Sequence, residues 1–341
     1  MAQLQDTQIT GSVEFHENTP FKLPNTSISS SAGYIWFDTE ANELKGSFTT
    51  PGGNAWSSGG SLITARGNLG GAGTQNETVA FAGDFYVTCT EEYNGSSWSS
   101  SGNMGAARQL PAGAGTQNAA LAFGGLIESP FAAASCTEEY NGSNWSSGGS
   151  LIQSRIRPGC GGTQNAGLAF GGERPIPFGA YSCTEEYNGS SWSAGGSLIQ
   201  FMARLTGAGS QNSGLSMGGN AGSAPGININ TCVEEYNGSS WSTAASLSTK
   251  AESRSAAGSS QNEVVAFGGC DNPNQYTCTE EYNGTSWSTG GSLITGRHNH
   301  AGAGIQNSAI AIGGKTPSVL SCTEEYSVGP DTISTGSISF K

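Results

Sequence analysis

The sequence predicts an all-β protein: six four-stranded blades closed into a propeller, with a small β-rich segment ahead of the ring. Three observations predict it. Of 341 residues, 53 are Gly; Gly and Ser so outweigh Ala, Leu, Glu and Lys that a helical protein is excluded. Seven Trp, ten Tyr and thirteen Phe supply burial that disordered chains lack. One unit recurs six times at a period of about 45 residues, a length that belongs to propeller blades.

Three markers anchor the unit. The first is Trp56, Trp98, Trp145, Trp192, Trp241 and Trp287, spaced 42, 47, 47, 49 and 46 residues apart. The second is a Gln-Asn pair beginning at Gln75, Gln117, Gln164, Gln211, Gln261 and Gln306. The third is Cys-Thr-Glu-Glu-Tyr, beginning at Cys89, Cys136, Cys183, Cys232, Cys278 and Cys322, with Val233 replacing Thr once.

Each element of a blade follows from its residues. Small residues such as Ala112 to Thr116 suit the innermost strand A, where blades crowd the axis. Gln-Asn turns the chain into strand B, Ala119 to Phe123, which Gly124-Gly125 stops. Strand C is expected over Cys136 to Tyr140, with Cys136, Glu138 and Tyr140 on one face. Asn141-Gly142 supplies the positive-φ residues of a hairpin turn, and strand D begins at Trp145. Trp and Tyr fill the widening gaps between blades, so each repeat Trp is expected to be largely buried.

Phe123-Gly124-Gly125, Glu139-Tyr140-Asn141, Trp145 and Arg155, followed by a Gly-rich strand, are similar to the kelch repeat. The resemblance covers about residues 53–327 and implies a six-bladed β-propeller. The Cys and the doubled Glu are additions to the usual pattern. The first unit starts at strand D, with Asn54-Ala55-Trp56, and the last stops after strand C at Tyr326. Residues 54–59 are therefore expected to complete the last blade and close the ring.

Spacing locates a variable face. Trp to Gln is 19 residues in five units and 20 in one, and Tyr to Trp is 5 in all five complete cases. Gln to Cys is 14, 19, 19, 21, 17 and 16. Length variation thus concentrates in the B–C connections, which share one face with the D–A connections. Variable loops on a rigid scaffold commonly carry function, although drift in unconstrained loops gives the same pattern. These loops hold Phe85, Tyr86, Phe131, Phe178, Tyr181 and Tyr276, aromatics suited to sugar rings or protein partners. The fourth and sixth loops have none, which argues against a six-fold-symmetric ligand.

Composition narrows the partners. Only 11% of residues are charged and the net charge is −13, which argues against nucleic acid and anionic membrane surfaces. No apolar stretch approaches the roughly 20 residues of a membrane helix. The first 23 residues show no secretory signal. Five Asn-Gly-Ser/Thr sequons are explained by the hairpin turn they would form.

An enzyme is disfavoured, with no catalytic residue, metal or cofactor expected. His16 lies outside the ring, and His298-x-His300 has no third ligand in view. Arg66, Arg108, Arg155 and Arg297 share one repeat position, where Met202 and Glu252 interrupt the set; each Arg is expected to pair locally. The Glu-Glu pairs look structural, the first Glu needing a buried partner. Six of the eight Cys occupy equivalent positions on different blades, too far apart for disulfides. Cys270 is the one with a neighbour in reach, Cys278. Thiols of this kind fit a reducing cytosol.

Outside the ring lie residues 1–52 and 328–341. The run from Ala32 to Lys45, containing Tyr34-Ile35-Trp36-Phe37-Asp38-Thr39 and Asn42-Glu43-Leu44-Lys45, resembles a short hairpin of bacteriophage structural and tail-fibre proteins. Thr10 to Phe15 echoes Thr335 to Phe340, two strands expected to lie side by side. The resemblances imply a virion structural protein made in the host cytoplasm: an appendage, fibre or capsid decoration. Residues 1–52 and 328–341 would attach it to other virion proteins, in many copies or as a homo-oligomer. Its loops would meet a host receptor or glycan. The competing expectation is a cellular kelch-type scaffold that binds another protein; a propeller enzyme comes third. Topology puts both tails on the face opposite the variable loops.

Overall fold

The structure, a computed structural model, describes residues 35–38, 43–50, 53–175, 177–221, 228–271, 273–329 and 332–338. The chain divides into two units, Gly53–Gly329 and the segments that flank it. The larger is a six-bladed β-propeller, with no helix among its described residues. Blade 2 is Ala112–Thr116, Ala119–Phe123, Thr137–Tyr140 and Trp145–Ser147, all antiparallel in the order A-B-C-D. The same succession runs from Gly70–Gly73 to Trp98–Ser101 in blade 1 and from Gly159–Thr163 to Trp192–Ala194 in blade 3. It recurs from Thr206–Ser210 to Trp241–Thr243 in blade 4 and from Ser255–Ser260 to Trp287–Thr289 in blade 5. Strand C starts one residue later than expected, at Thr137, because Cys136 uses its carbonyl to cap the end of strand B at Gly124.

Blade 6 takes strands A to C from Ala301–Ile305, Ser308–Ile312 and Thr323–Val328, and its strand D from Asn54–Ser58. Asn54 pairs with Val328 and Trp56 with Tyr326. The seam joins strands about 270 residues apart, and the Gly329 amide donates to the Gly53 carbonyl at 3.2 Å. The chain therefore enters and leaves the ring at the end of blade 6 that carries the A–B and C–D turns.

Crowding explains strand A. Its second residue is Gly71, Gly113, Cys160, Gly207, Ala256 or Gly302, and a Cβ added at Gly113 would sit 2.4 Å from the Gly71 carbonyl oxygen. Strand B is apolar on both faces, as a sheet covered on both sides requires; Leu121, Ala122 and Phe123 are wholly buried. In the C–D hairpin only Gly142 has positive φ, 87°. Asn141 instead accepts the amides of Ser143 and Asn144 through Oδ1.

Three repeated hydrogen bonds tie five of the six blades to the one before, and blade 5 keeps only the last of the three. The Gln side chain donates to two backbone carbonyls, as Gln164 does to Ala120 and Tyr140. The indole donates to the Thr hydroxyl of strand C, as Trp192 does to Thr137 at 2.9 Å. The Tyr hydroxyl donates to the second Glu, as Tyr187 does to Glu139 at 2.6 Å. Trp192 also stacks on Tyr187 of its own blade and meets Phe123 of the preceding one edge-on. Trp56, Trp98, Trp192 and Trp241 are buried, whereas Trp145 and Trp287 are half-buried.

The first Glu of each pair has the partner its burial demands. Arg66 pairs with Glu91 at 2.9 Å and Arg108 with Glu138 at 3.1 Å, and Arg155–Glu185 and Arg297–Glu324 repeat the contact. Two backbone amides complete each carboxylate, as those of Ile152 and Gln153 do for Glu185. The interruption in the fifth unit is Ala251 rather than Glu252. The Gly219 amide bonds the Ala251 carbonyl just as Gly172 bonds Met202 and Gly269 bonds Arg297. The twentieth residue between Trp241 and Gln261 is absorbed as a β-bulge between Ala257 and Ser260, so counting back from Gln gives a register one residue too late. Arg254, three residues on, supplies the guanidinium to Glu280 at 3.1 Å. Glu234 of blade 4 receives only the amides of Ile199 and Gln200.

In the smaller unit Ile35–Asp38 pairs antiparallel with Glu43–Gly46, and Glu43–Thr50 pairs with Thr332–Ile338 over seven positions. The strand found beside the C-terminal segment is therefore 43–50; Thr10 to Phe15 lies outside the described residues. No helix among the described residues is long and apolar enough to cross a membrane.

Candidate functional site: the loop face and its axial mouth

The B–C and D–A connections are stitched together on one face. Gln109 bridges Leu126, Ile156 bridges Glu173, Ala203 bridges Asn220, Glu252 bridges Cys270, and His298 bridges Lys315. Three of the B–C connections fold into ribbons, Leu126–Ile127 with Ala132–Ala133, Glu173–Arg174 with Gly179–Ala180, and Lys315–Thr316 with Ser318–Val319. The loops are thus extensions of the scaffold, with their own hydrogen bonds.

The six aromatics divide into two kinds. Phe85 is 83% exposed and Phe131 52% exposed, and both present apolar surface to solvent. Phe85 also has φ 64°, and its neighbour Tyr86 has φ 53°; two consecutive left-handed residues that are not glycine mark strain of the kind found in binding loops. Ala82, at φ 59°, stands where the other blades place the first Gly of Gly-Gly. The other four are engaged within the face. Tyr86 packs against the cluster of Leu110, Leu126 and Ile156. Tyr181 accepts from Gln153 at 3.0 Å and lies 5.8 Å beneath the Arg155 guanidinium. Tyr276 donates to Asp271, which pushes its pKa up to about 12. Phe178 is half-buried.

The two histidines of His298-x-His300 occupy different settings. His300 is buried against Phe267, with ring centroids 5.5 Å apart, while His298 is half-buried near Lys315. Burial holds both imidazoles below their usual pKa, His300 well below, with Arg297, His298 and Arg254 reinforcing the effect there. No group of three His, Cys, Asp or Glu converges among the described residues. All eight cysteines are thiols.

Sequence reasoning missed the centre of this face. Asn68, Leu110, Arg157, Arg204, Ser253 and Asn299 occupy one repeat position around the axis, and all are left-handed, with φ between 49° and 60°. Their backbones form a collar: Leu110 N donates to Asn68 O at 2.7 Å, Arg157 N to Leu110 O, Ser253 N to Arg204 O, Asn299 N to Ser253 O, and Asn68 N to Asn299 O. Six residues held in this sparsely populated region need the ring to enforce it. No one residue type is common to all six, so no motif announces them.

A charged network lies on the collar. Glu173 binds Arg157 at 3.1 Å and Arg204 at 3.4 Å, and Arg204 reaches Glu252 at 2.9 Å. Asp84 binds Lys315 at 2.8 Å and accepts from Asn68 Nδ2 at 2.7 Å. Glu173 and Glu252 are buried while Arg157 and Arg204 retain some exposure, so the network opens toward solvent on the loop face. Burial lowers the Arg157 pKa, and the neighbouring Arg204 lowers it further.

No known protein family and no curated protein matches the chain. Among 281 solved chains that do match, the structure of YjhT superimposes with a TM-score of 0.67 at 13% identity, over 81% of this chain and 99% of that one. At that identity the likeness establishes the six-bladed propeller fold alone.

Proposed function

We propose that the protein is a virion structural component that displays a kelch-like propeller for adhesion to a host surface or glycan. The observation that carries this reading is polarity within the ring. The chain enters at Gly53 and leaves at Gly329 beside the uniform turns, and the six unlike loop assemblies occupy the opposite face of the ring. Scaffold and display are thereby separated, and the loops can diversify without touching the attachment end. The run from Ala32 to Lys45, whose sequence resembles a short hairpin of phage structural proteins, supports a particle as the object of attachment.

Phe85 and Phe131 are the residues through which the loop face would meet its partner, since exposed aromatics anchor interfaces. The test separates display from attachment. The double substitution Phe85→Ala and Phe131→Ala should abolish binding of the purified chain to host cells or arrayed glycans while leaving its melting temperature unchanged. Removing residues 1–50 should leave binding intact and abolish recovery of the protein with particles. Recovery with a cellular protein, and never with particles, would overturn the virion reading in favour of a cellular scaffold.

A further inference from the structure

Where one blade meets the next, the residue just ahead of strand A fills a slot at the end of the preceding strand B. Leu69, Pro111, Pro158 and Leu205 hold this position in blades 1 to 4, and all four are buried. Pro158 lies against Gly124 and Leu205 against Gly171. In blade 5 the residue is Arg254, which pairs with Glu280. In blade 6 it is His300. A Cβ added at Gly268 would sit 2.6 Å from His300 Cε1 and 3.2 Å from Nε2, and the ring also faces Phe267. An imidazole is thus wedged between blades 5 and 6, where four other blades use hydrocarbon.

Nothing polar answers the ring. His300 is 6% exposed, and both ring nitrogens are buried without a hydrogen-bond partner. Buried polar groups are otherwise almost always paired. The charges acting on the ring are Arg297 and His298 of its own connection and Arg254 ahead of strand A of blade 5, all cationic when protonated. Lys315 follows Gly314, where an added Cβ would sit 2.7 Å from His300 Cβ. Glu280 and Glu324 are held by Arg254 and Arg297, whose guanidiniums also meet the thiols of Cys278 and Cys322. Strand B of blade 5 carries one carboxylate, Glu263, at its exposed far end. A proton added to His300 would find neither an acceptor nor a free countercharge, and an unpaired buried charge is costly.

We propose that His300 is an acid-sensitive latch, whose protonation opens the inner, loop-face end of the junction between blades 5 and 6. The outer part of that junction has its own ties and stays closed: Gln306 to Val264 and Tyr282, Trp56 to Thr279, and Tyr326 to Glu281. The released connection includes the collar bond from Asn68 N to Asn299 O and the bridge between His298 and Lys315. Acid is thereby coupled to the loop face, whatever the loops bind. Because folding depresses the His300 pKa, its contribution to stability is complete above the ordinary histidine value of about 6.5 and is lost as pH falls from there toward the folded value. Across that interval each pH unit favours the opened junction about tenfold.

Amide exchange of the full chain, corrected for its intrinsic pH dependence, tests the latch across about pH 5 to 8. Protection in Ala301–Ile305 should fall about tenfold per pH unit below the ordinary histidine value. Gly159–Thr163, whose slot holds Pro158, should keep its protection. His300→Leu, which copies Leu69 and Leu205, should abolish the fall, and His298→Gln should leave it in place. If His300→Leu does not fold, the His300 ring resonances of the natural chain decide: they should titrate only as protection in Ala301–Ile305 is lost. A fall that survives in His300→Leu, vanishes in His298→Gln or strikes both strands equally overturns the proposal. So does an imidazole that titrates at the ordinary value in the closed ring.

Discussion

Two junctions of the ring invite comparison: the one where blade 1 meets blade 6, whose strands C and D come from opposite ends of the chain and make the seam, and the one between blades 4 and 5, whose strands follow in sequence. Connectivity alone would make the first the weak one. The contacts say the reverse. At the 6–1 junction Gln75 donates to the carbonyls of Ala309 and Tyr326, Trp98 to Thr323, and Tyr93 to Glu325. At the 4–5 junction only Tyr282–Glu235 follows the pattern. Trp287 faces Val233 instead of Thr and donates to the Ala245 carbonyl. Gln261, displaced by the bulge, leaves its Oε1 unpartnered. Blade 4 also lacks the Arg–Glu pair, with Met202 in place of Arg. The 6–1 junction thus keeps the full set found at the 1–2, 2–3, 3–4 and 5–6 junctions, and the losses fall at one junction where the chain itself runs through.

The largest effect breaks the comparison outright. Removing residues 1–60 deletes strand D of blade 6 with Trp56, exposing the edge of Thr323–Val328, whereas removing residues 1–50 spares it. The longer deletion should lose cooperative melting or associate through the open edge; the shorter should melt as the intact propeller does. Matching melting curves for the two would show that closure contributes nothing.

A second contrast sets blade 3 against blade 4. Arg155→Met copies the arrangement at Met202 and leaves buried Glu185 without its cation, which should cost about 3–5 kcal/mol. Glu234 has lived with that arrangement, and burial raises its pKa despite two backbone amides. A carboxyl raised in the folded state contributes most below its unfolded pKa and loses that contribution as pH rises through the folded value. Glu234→Gln should therefore flatten the decline in stability above the ordinary glutamate range and change stability at neutral pH by no more than about 1 kcal/mol. Glu185→Gln should be clearly destabilising. Equal responses from the two glutamates would mean that the missing arginine is not what distinguishes the blades.

The repeat arithmetic made the blades legible because each marker has one mechanical duty: Gln staples, Trp and Tyr fill and bond, Glu receives Arg. Even the twentieth residue before Gln261 was visible, although its consequence, the bulge that moves Ala251 rather than Glu252 into the arginine position, needed coordinates. The loop aromatics were legible only as residue types. Nothing in their sequence separates exposed Phe85 and Phe131 from Tyr181, whose partners sit in the adjoining D–A connection, or from Tyr276, whose partner Asp271 sits in its own loop. The axial mouth was illegible for a deeper reason. Its six positions share a left-handed backbone and a place on the axis, and neither leaves a common letter at Asn68, Leu110, Arg157, Arg204, Ser253 and Asn299.

The smallest effect sharpens the comparison. Val233 is buried beside the Trp287 indole, and Val233→Thr would restore the residue used by the other blades. An unpaired buried hydroxyl costs about 1–3 kcal/mol, and a hydrogen bond returns about 0.5–1.5 kcal/mol, so the net change should stay within about 1 kcal/mol. Its sign depends on whether the indole turns from the Ala245 carbonyl to the new hydroxyl. Elsewhere that choice favours Thr, as at Trp241 and Thr184, 2.9 Å apart. The exposure of Ala245 lets its carbonyl turn to water once the indole leaves. Amide exchange is the sensitive readout. In the natural chain, strands Val233–Tyr236 and Ser255–Ser260 should exchange faster than their counterparts at the 6–1 junction, Thr323–Val328 and Gly70–Gly73. Val233→Thr should slow exchange at the 4–5 junction alone. Slower exchange around the whole ring would place the effect in general stability, and faster exchange at the junction would show that Val233 is the better neighbour for Trp287.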